Sequence, residues 1–323
     1  MKKIAVLASG GDAPGMNACI RAVVRTASAQ DVEVWGVWDG YGGIVDRRIE
    51  RLTSRGVAGS LQRGGSIIGA GRSEKFLEEA CRVDCIAYLR EQGIEGLIVI
   101  GGEGTLAGAT KLHEMGFPTV AVPGTIDNDM PGTEITIGAD TAINTAMEAI
   151  DRLRDTASAH QRAMVVEVMG RHSGYIAIMA GIATGAEMII TPERPPTIED
   201  VLAEMQASEG RNKRHFIIAL AEGAPWSAPE LTKLINDAPH LSGYDARYTV
   251  LGYIQRGGVP SRFDRILGTR MGVAATEVLL HGRSGVLTTW RDNRVQVVPI
   301  DELESRPDPW SQALDHVHRI TTT

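Results

Sequence analysis

Short apolar runs alternate along this chain with longer stretches whose apolar residues recur every three or four positions. Residues 3–7, 32–38, 97–100 and 119–122 read as strands, and so do 163–169, 188–191, 216–220 and 248–254. Helical spacing follows most of them. It is carried by Ile20, Val23, Val24 and Ala27, by 81–92 with Gly93 as its stop, and by Leu106, Ala109, Leu112 and Met115. Further helices are expected over about 141–156, 175–183, 198–205 and 263–280. Pro123-Gly124 is expected to break its strand sharply. Residues 43–63 read as irregular, 223–246 as a surface segment with two proline turns, and the tail as short apolar runs including 295–300. Strand and helix in alternation predict an α/β class with largely parallel sheets.

Polar chemistry gathers where strands end. Ser9-Gly10-Gly11-Asp12-Ala13-Pro14-Gly15-Met16-Asn17 lies between a strand and a helix, as does Gly101-Gly102-Glu103-Gly104-Thr105. Bare backbone N–H groups at a helix start suit a phosphate, and Glu103 could hold Mg²⁺ shared with one. A tight turn and a dipole-favoured glutamate explain each loop separately just as well, but two such loops in one sheet exceed what turns alone explain. Thr125, Asp127, Asn128 and Asp129 follow residues 119–122. They are either a polar turn or a ligand site at the carboxyl end of a parallel strand.

With 323 residues, two domains are the natural prior. The 37 glycines sit mostly at strand ends, outside any low-complexity run. A net charge of −7 and 5% aromatics argue against a nucleic-acid surface, while leaving room for a small phosphorylated substrate. Cys19, Cys81 and Cys85 are an odd set without a secretory leader, so reduced thiols and a cytoplasmic location are expected. No apolar run approaches a membrane span of about 18 residues.

The two glycine loops, Pro123-Gly124-Thr125-Ile126-Asp127-Asn128-Asp129, Met169-Gly170-Arg171 and Gly252-Tyr253-Ile254-Gln255-Arg256-Gly257-Gly258 together resemble the ATP-dependent 6-phosphofructokinases of bacterial type. The match runs in order over nearly the whole chain, weakest at 223–246 and in the tail. The resemblance implies two Rossmann-like three-layer domains. Residues 1–138 with about 255–305 would bind nucleotide, and 139–254 with about 306–323 the sugar phosphate. It implies transfer from MgATP to the 1-hydroxyl of fructose 6-phosphate. Asp127 would be the base, Thr125 and Asp129 would position the reactants, and Arg171, Arg72 and the Gly11 backbone would stabilise charge. Arg162, Arg247 and Arg256 would hold the sugar phosphate, the first two reaching across from a neighbouring subunit of a homotetramer. Glu222, Met169 and Gly170 would contact the sugar. Tyr41, Ser73, Gly102, Gly104, Thr105 and Gly108 would lie along the nucleotide. An effector site for ADP or phosphoenolpyruvate would draw on Arg21, Arg25, Arg55, Arg154, Gly185, Glu187, Arg211, Lys213, Arg214 and His215.

Three positions depart from the family pattern. Glu103 and Tyr253 stand where Asp and His are commoner, and Ser54 replaces an expected effector-site arginine, with Arg55 beside it. A pyrophosphate-dependent relative would carry Asp at 104 and Lys at 124; both are glycine here, which favours ATP. NAD or lipid kinases share a loop like 101–105, but that reading leaves the arginines unexplained. A catalytically silent regulatory subunit would be expected to lose Asp127 or Arg171, and both are present. A dehydrogenase fits poorly, because no G-x-G-x-x-G opens a helix.

Overall fold

The computed structural model describes residues 1–305 together with 314, 317, 318 and 320. The tail 306–323, expected above to join the sugar-phosphate domain, lies outside the described residues except at those four positions. The chain forms two compact units, Met1–Thr141 with Arg256–Arg306, and Ala142–Gln255 with Pro307–Thr323.

In chain order, the first unit begins with β1 (Lys3–Ser9), α1 (Met16–Ser28), β2 (Glu33–Val37), α2 (Tyr41–Val45) and β3 (Ile49–Leu52). It continues with α3 (Glu79–Glu91), β4 (Leu97–Gly101), α4 (Glu103–Glu114), β5 (Thr119–Thr125) and β6 (Ile137–Gly138). Helix α5 (Ala139–His160) leads into β7 (Arg162–Val168), α6 (Tyr175–Thr184), β8 (Met188–Ile190) and α7 (Ile198–Gly210). Then come β9 (Phe216–Ala221), α8 (Ala228–Asn236), α9 (Pro239–Ser242) and β10 (Asp245–Val250). The first unit closes with α10 (Arg262–Leu280), β11 (Val286–Arg291) and β12 (Arg294–Pro299).

Among the described residues the first sheet runs β12-β11-β5-β4-β1-β2-β3, with β6 paired to β5 beyond the point where β11 stops pairing with it. Its centre is parallel, while β3 and β12 are antiparallel edges. Both faces of the central strands are buried, which is why they read as unbroken apolar runs. Ala5, Leu7, Leu97, Val99 and Ala121 share a core with α3 and α4. The alternate residues Ile4, Val6, Ile98 and Ile100 turn to the other face. There α10 packs on α1 almost backbone to backbone. A first side-chain carbon at Gly268 or Gly272 would lie 2.6 Å from the Gly15 or Cys19 carbonyl oxygen.

The second sheet, β10-β7-β9-β8, is parallel throughout. One face packs Val165, Phe216, Ile218 and Leu220 against Val201, Met205, Leu231 and Ile235. On the other face, Gly181 of α6 lies against Ile189 and Ala219. The class is thus α/β with mostly parallel sheets, as expected. No helix of the described residues is long and apolar enough to cross a membrane.

Several local expectations fail. Pro123-Gly124 does not break β5, which continues to Thr125. Carbonyls at odd positions of β5 point to the β11 side, as Thr119 and Thr125 show. Pairing with β11 stops at Ala121, so the N–H that Pro123 lacks falls where no partner strand needs it. Residues 43–63 include β3 and the end of α2. Residues 223–246 are not merely surface. A Ser227–Glu230 capping box starts α8, whose Leu231 and Ile235 are fully buried. The run 248–254 is a strand only to Val250, then a 3₁₀ turn over Gly252–Gln255 in which Gly252 adopts φ +54°. The tail's apolar runs form β11 and β12 at the edge of the first sheet.

Candidate functional site

In the first unit the parallel strands β1, β4 and β5 end at Ser9, Gly101 and Thr125, so their loops emerge at the same edge of one sheet. Thr105, in the first turn of α4, ties two of them together: its Oγ1 donates to the Ser9 carbonyl at 3.0 Å. Gly102 leaves room beside Thr125, whose Cβ would be 3.5 Å from any side chain there. Glu103 and Gly104 open α4 as exposed residues, with Glu103 in the turn where the helix dipole favours an anion. Tyr41 braces this turn from inside. Its hydroxyl donates to the Thr105 carbonyl at 2.7 Å, its ring leaves no room for a side chain at Gly108, and it stacks on Phe76 at 4.1 Å. Burial pushes the Tyr41 phenol far above its usual range, so it stays neutral.

The glycine-rich segment 63–73 runs alongside. Fully buried Asn17 donates to the Arg63 and Gly65 carbonyls at 2.8 Å each and accepts from Ile67 N–H at 2.8 Å. The Gly10 N–H and the Ser9 hydroxyl both reach the Gly71 carbonyl. That brings exposed Arg72 and half-buried Ser73 beside the β1 loop. Arg256 belongs to this first unit: its guanidinium lies over Gly11 and donates to the Asp12 carbonyl at 3.2 Å.

Asp127 is buried just beyond β5, its N–H donating to Thr125 Oγ1 at 3.2 Å. Neighbouring Asn128 adopts φ +49°, which its short amide side chain tolerates. That amide closes the loop: Nδ2 donates to the Glu134 carbonyl, and Oδ1 accepts from Thr136 N–H at 2.8 Å. Thr136 Oγ1 in turn donates to the Thr125 carbonyl at 2.6 Å. Asp129 Oδ1 is buried without a hydrogen-bond partner among the described residues.

Sequence reasoning missed Asp264. Fully buried near the start of α10, its carboxylate accepts from Gly138 N–H, Thr141 N–H and the Thr141 hydroxyl, at 2.8, 2.8 and 2.5 Å. It caps the start of α5 from more than a hundred residues away. Burial pushes its carboxyl up to about 6, against the pull of these three donors. Only an Asp three residues after Ser261 marked the place in sequence, and that reads as an ordinary first-turn acid.

In the second unit β7 and β9 end side by side. Glu222 Oε1 accepts from Gly170 N–H at 3.2 Å and Arg171 N–H at 2.6 Å. This holds the Met169-Gly170-Arg171 loop, in which Gly170 takes φ +148° and Arg171 φ +58°. Arg171 is exposed, and Met169 is buried. Tyr253 follows neighbouring β10 and is 82% exposed. Arg162 and Arg247 are not part of this group. They flank Asp245, at 3.4 and 2.5 Å, near the amino ends of β7 and β10. The seven residues of β7 put roughly 20 Å between Arg162 and the Arg171 loop.

A second polar cluster gathers Arg154, Glu187, Lys213 and His215. Buried Glu187 accepts from Ile217 N–H at 2.8 Å and lies 3.7 Å from both the Lys213 and His215 side chains. His215 Nδ1 meets Ser158 at 2.8 Å, and Arg154 donates to the Thr184 carbonyl beside left-handed Gly185. Burial holds the His215 imidazole below its usual value, outweighing Glu187. Arg211 pairs with Glu204, and Arg214 is exposed. Arg21 and Arg25 lie one turn apart on α1 of the first unit, and exposed Arg55 follows β3.

A sequence model of the family described as phosphofructokinase matches residues 3–279. An ATP-dependent 6-phosphofructokinase of Bacillus thuringiensis is 50% identical over 295 residues, covering 91% of each chain. Phosphofructokinase structures from Saccharomyces cerevisiae and Pichia pastoris superpose with TM-scores of 0.85 and 0.89 at 35% and 34% identity. Each covers 99% of this chain, which spans only 46% and 37% of theirs. A pyrophosphate-dependent phosphofructokinase from Marinobacter aquaeolei shares the fold, with a TM-score of 0.83 at 22% identity over 100% of this chain and 92% of its own.

Proposed function

The chain belongs to the phosphofructokinase family, and from that membership we propose that it transfers the γ-phosphoryl group of ATP to the 1-hydroxyl of fructose 6-phosphate. The products are ADP and fructose 1,6-bisphosphate. The observation that carries the assignment is buried Asp127 in a loop locked at both ends, at the sheet edge where two glycine loops also emerge.

Asp127 orients the sugar hydroxyl and accepts its proton as the new oxygen–phosphorus bond forms and the bond to the ADP oxygen breaks. Thr125 and Asp129 align the reactants. Arg72, Arg171 and the Gly11 backbone carry charge on the transferring group, where electrostatic stabilisation does most of the work. Ser73, Gly102, Gly104, Thr105 and Gly108 border the nucleotide, with Tyr41 supporting their turn. Exposed Glu103 fits Mg²⁺, which takes few protein carboxylates and fills its shell with phosphates and water. Bound there, the ion would neutralise phosphate charge. Glu222 acts on the sugar side largely through the loop it holds, together with Met169, Gly170, Tyr253 and Arg256.

Arg162 and Arg247 serve the sugar phosphate of a neighbouring subunit. Their distance along β7 from the Arg171 loop supports this reading, in which the sites are shared within a homotetramer. Between subunits of that tetramer, the cluster around Glu187 and His215 together with Arg21, Arg25, Arg55, Arg211 and Arg214 receives ADP or phosphoenolpyruvate as effector. The unbridged thiols of Cys19, Cys81 and Cys85 suit the cytoplasm.

The test is a coupled assay with ATP or pyrophosphate as donor, repeated on Asp127→Ser. Turnover with ATP should fall by roughly 10²–10⁴-fold in the variant. Turnover with pyrophosphate and none with ATP would overturn the donor assignment. An unchanged kcat in Asp127→Ser would remove Asp127 from the mechanism.

A further inference from the structure

We propose that Asp264 is a positioning residue for the phosphoryl transfer, holding the 125–129 loop in its reactive shape through the start of α5. The proposal rests on Asp127 being the base.

Helix α10 is set against α1 with no slack. Asp264, Gly268 and Gly272 follow at four-residue intervals on one face, and the two glycines bring the helix backbones into contact. Asp264 is thereby pressed over Gly15 in the β1 loop. A first side-chain carbon at Gly15 would lie 3.0 Å from the Asp264 carbonyl oxygen and 2.8 Å from Ile137. From this fixed point the carboxylate reaches Gly138 and Thr141. Ser261 completes the knot by donating its N–H to Thr141 Oγ1 at 3.0 Å.

Gly138 is the link to the chemistry. It ends β6, a strand of only two residues whose pairs are Gly124 with Ile137 and Thr125 with Gly138. So short a ladder has little hold of its own, and the Asp264 cap fixes its far end. Thr125 then passes the position on, because its Oγ1 accepts the Asp127 N–H and its carbonyl accepts from Thr136. Three steps thus separate Asp264 from Asp127: carboxylate to Gly138, Gly138 to Thr125, Thr125 to Asp127.

The experiment compares Asp264→Asn and Thr141→Val in the full-length enzyme, with near-UV circular dichroism to establish folding. Asparagine keeps the shape but turns an N–H₂ toward groups that are themselves donors. We expect kcat in the folded Asp264→Asn variant to fall about 10–100-fold, the scale of a misplacement near 1 Å, with both KM values changing little. Thr141→Val, which spares both backbone contacts, should lose less. Combining Asp264→Asn with Asp127→Ser distinguishes the alternatives. If Asp264 acts through Asp127, it should cost less than about threefold in that background. An undiminished loss there, or an unchanged kcat in the folded single variant, would overturn the proposal. Should Asp264→Asn not fold, the same comparison made with Thr141→Val decides. If Asp127→Ser itself retains full kcat, the base assignment falls and takes this inference with it, whereas a large Asp127→Ser loss with additive Asp264 losses overturns the positioning role alone.

Discussion

Replacing Gly104 by aspartate should separate stability from activity in opposite directions. Gly104 is the second residue of α4, exposed, and a Cβ there meets nothing within 4 Å. The side chain therefore costs no packing. Losing a helical glycine and placing a carboxylate in the first turn are each slightly favourable, so the fold should be unchanged or stabilised by roughly 0.5–1 kcal/mol. The same carboxylate repels a nucleotide phosphate. At about 4 Å, two unit charges repel by about 4 kcal/mol at an effective dielectric constant of 20 and about 1 kcal/mol in bulk water. An exposed helix start lies between these limits, so kcat/KM for ATP should fall between about 5- and 1000-fold. The KM for fructose 6-phosphate at saturating ATP should stay constant. Thermal melting and a coupled assay with varied ATP measure both halves. Unchanged kcat/KM for ATP in a folded variant would refute the placing of Gly104 along the nucleotide. A lowered melting temperature would refute the claim that its site is open. Gly124 does not offer so clean a test, because a Cβ there would lie 2.9 Å from Ile100 and 3.0 Å from Met16, mixing packing strain with donor choice.

Glu222→Ala leaves the Gly170 and Arg171 N–H groups without their acceptor, at a cost of about 1–3 kcal/mol; it should raise the KM for fructose 6-phosphate more than Glu222→Gln, and equal effects would count against Glu222 as the holder of that loop. Tyr253→His should lower the KM for fructose 6-phosphate, since imidazolium adds a charge that the phenol lacks; an unchanged KM would place this exposed ring outside the sugar-phosphate site. Asp264 gives the protein a pH signature. Its carboxyl titrates near 6 in the folded chain, above the ordinary value of 3.8, so the folded state binds its proton more tightly than the unfolded state. The resulting stabilisation is complete below about pH 4 and is lost as pH rises through 6, on the order of 3 kcal/mol in all. Urea unfolding of Asp264→Asn should lack that part of the decline, and parallel pH profiles for the two proteins would contradict it.

Much of this molecule is written locally. The apolar runs at 4–7, 97–100 and 119–122 read as strands buried on both faces, and the 3.6-residue spacing after the first two reads as helices. The strand ends then announced themselves through glycines and carboxylates, because a βα loop must turn tightly and its ligand must come close. What stayed hidden depends on residues far apart in the chain. Pro123 looked like a strand breaker because nothing local says that β11 stops pairing at Ala121. Residues 223–246 looked like a surface loop because prolines and polar residues mask the buried Leu231 and Ile235. Arg256 was assigned by motif alone, and its place over Gly11 exists only once the chain returns to the first unit. Asn17, Asn128 and above all Asp264 are ordinary polar residues in sequence. Their work is to satisfy particular N–H and carbonyl groups, and which groups those are is set by packing. Periodicity and turn chemistry therefore determined the elements and the address of the site. The hydrogen bonds that hold Asp127 in place join positions up to 126 residues apart, and only the folded chain could decide them.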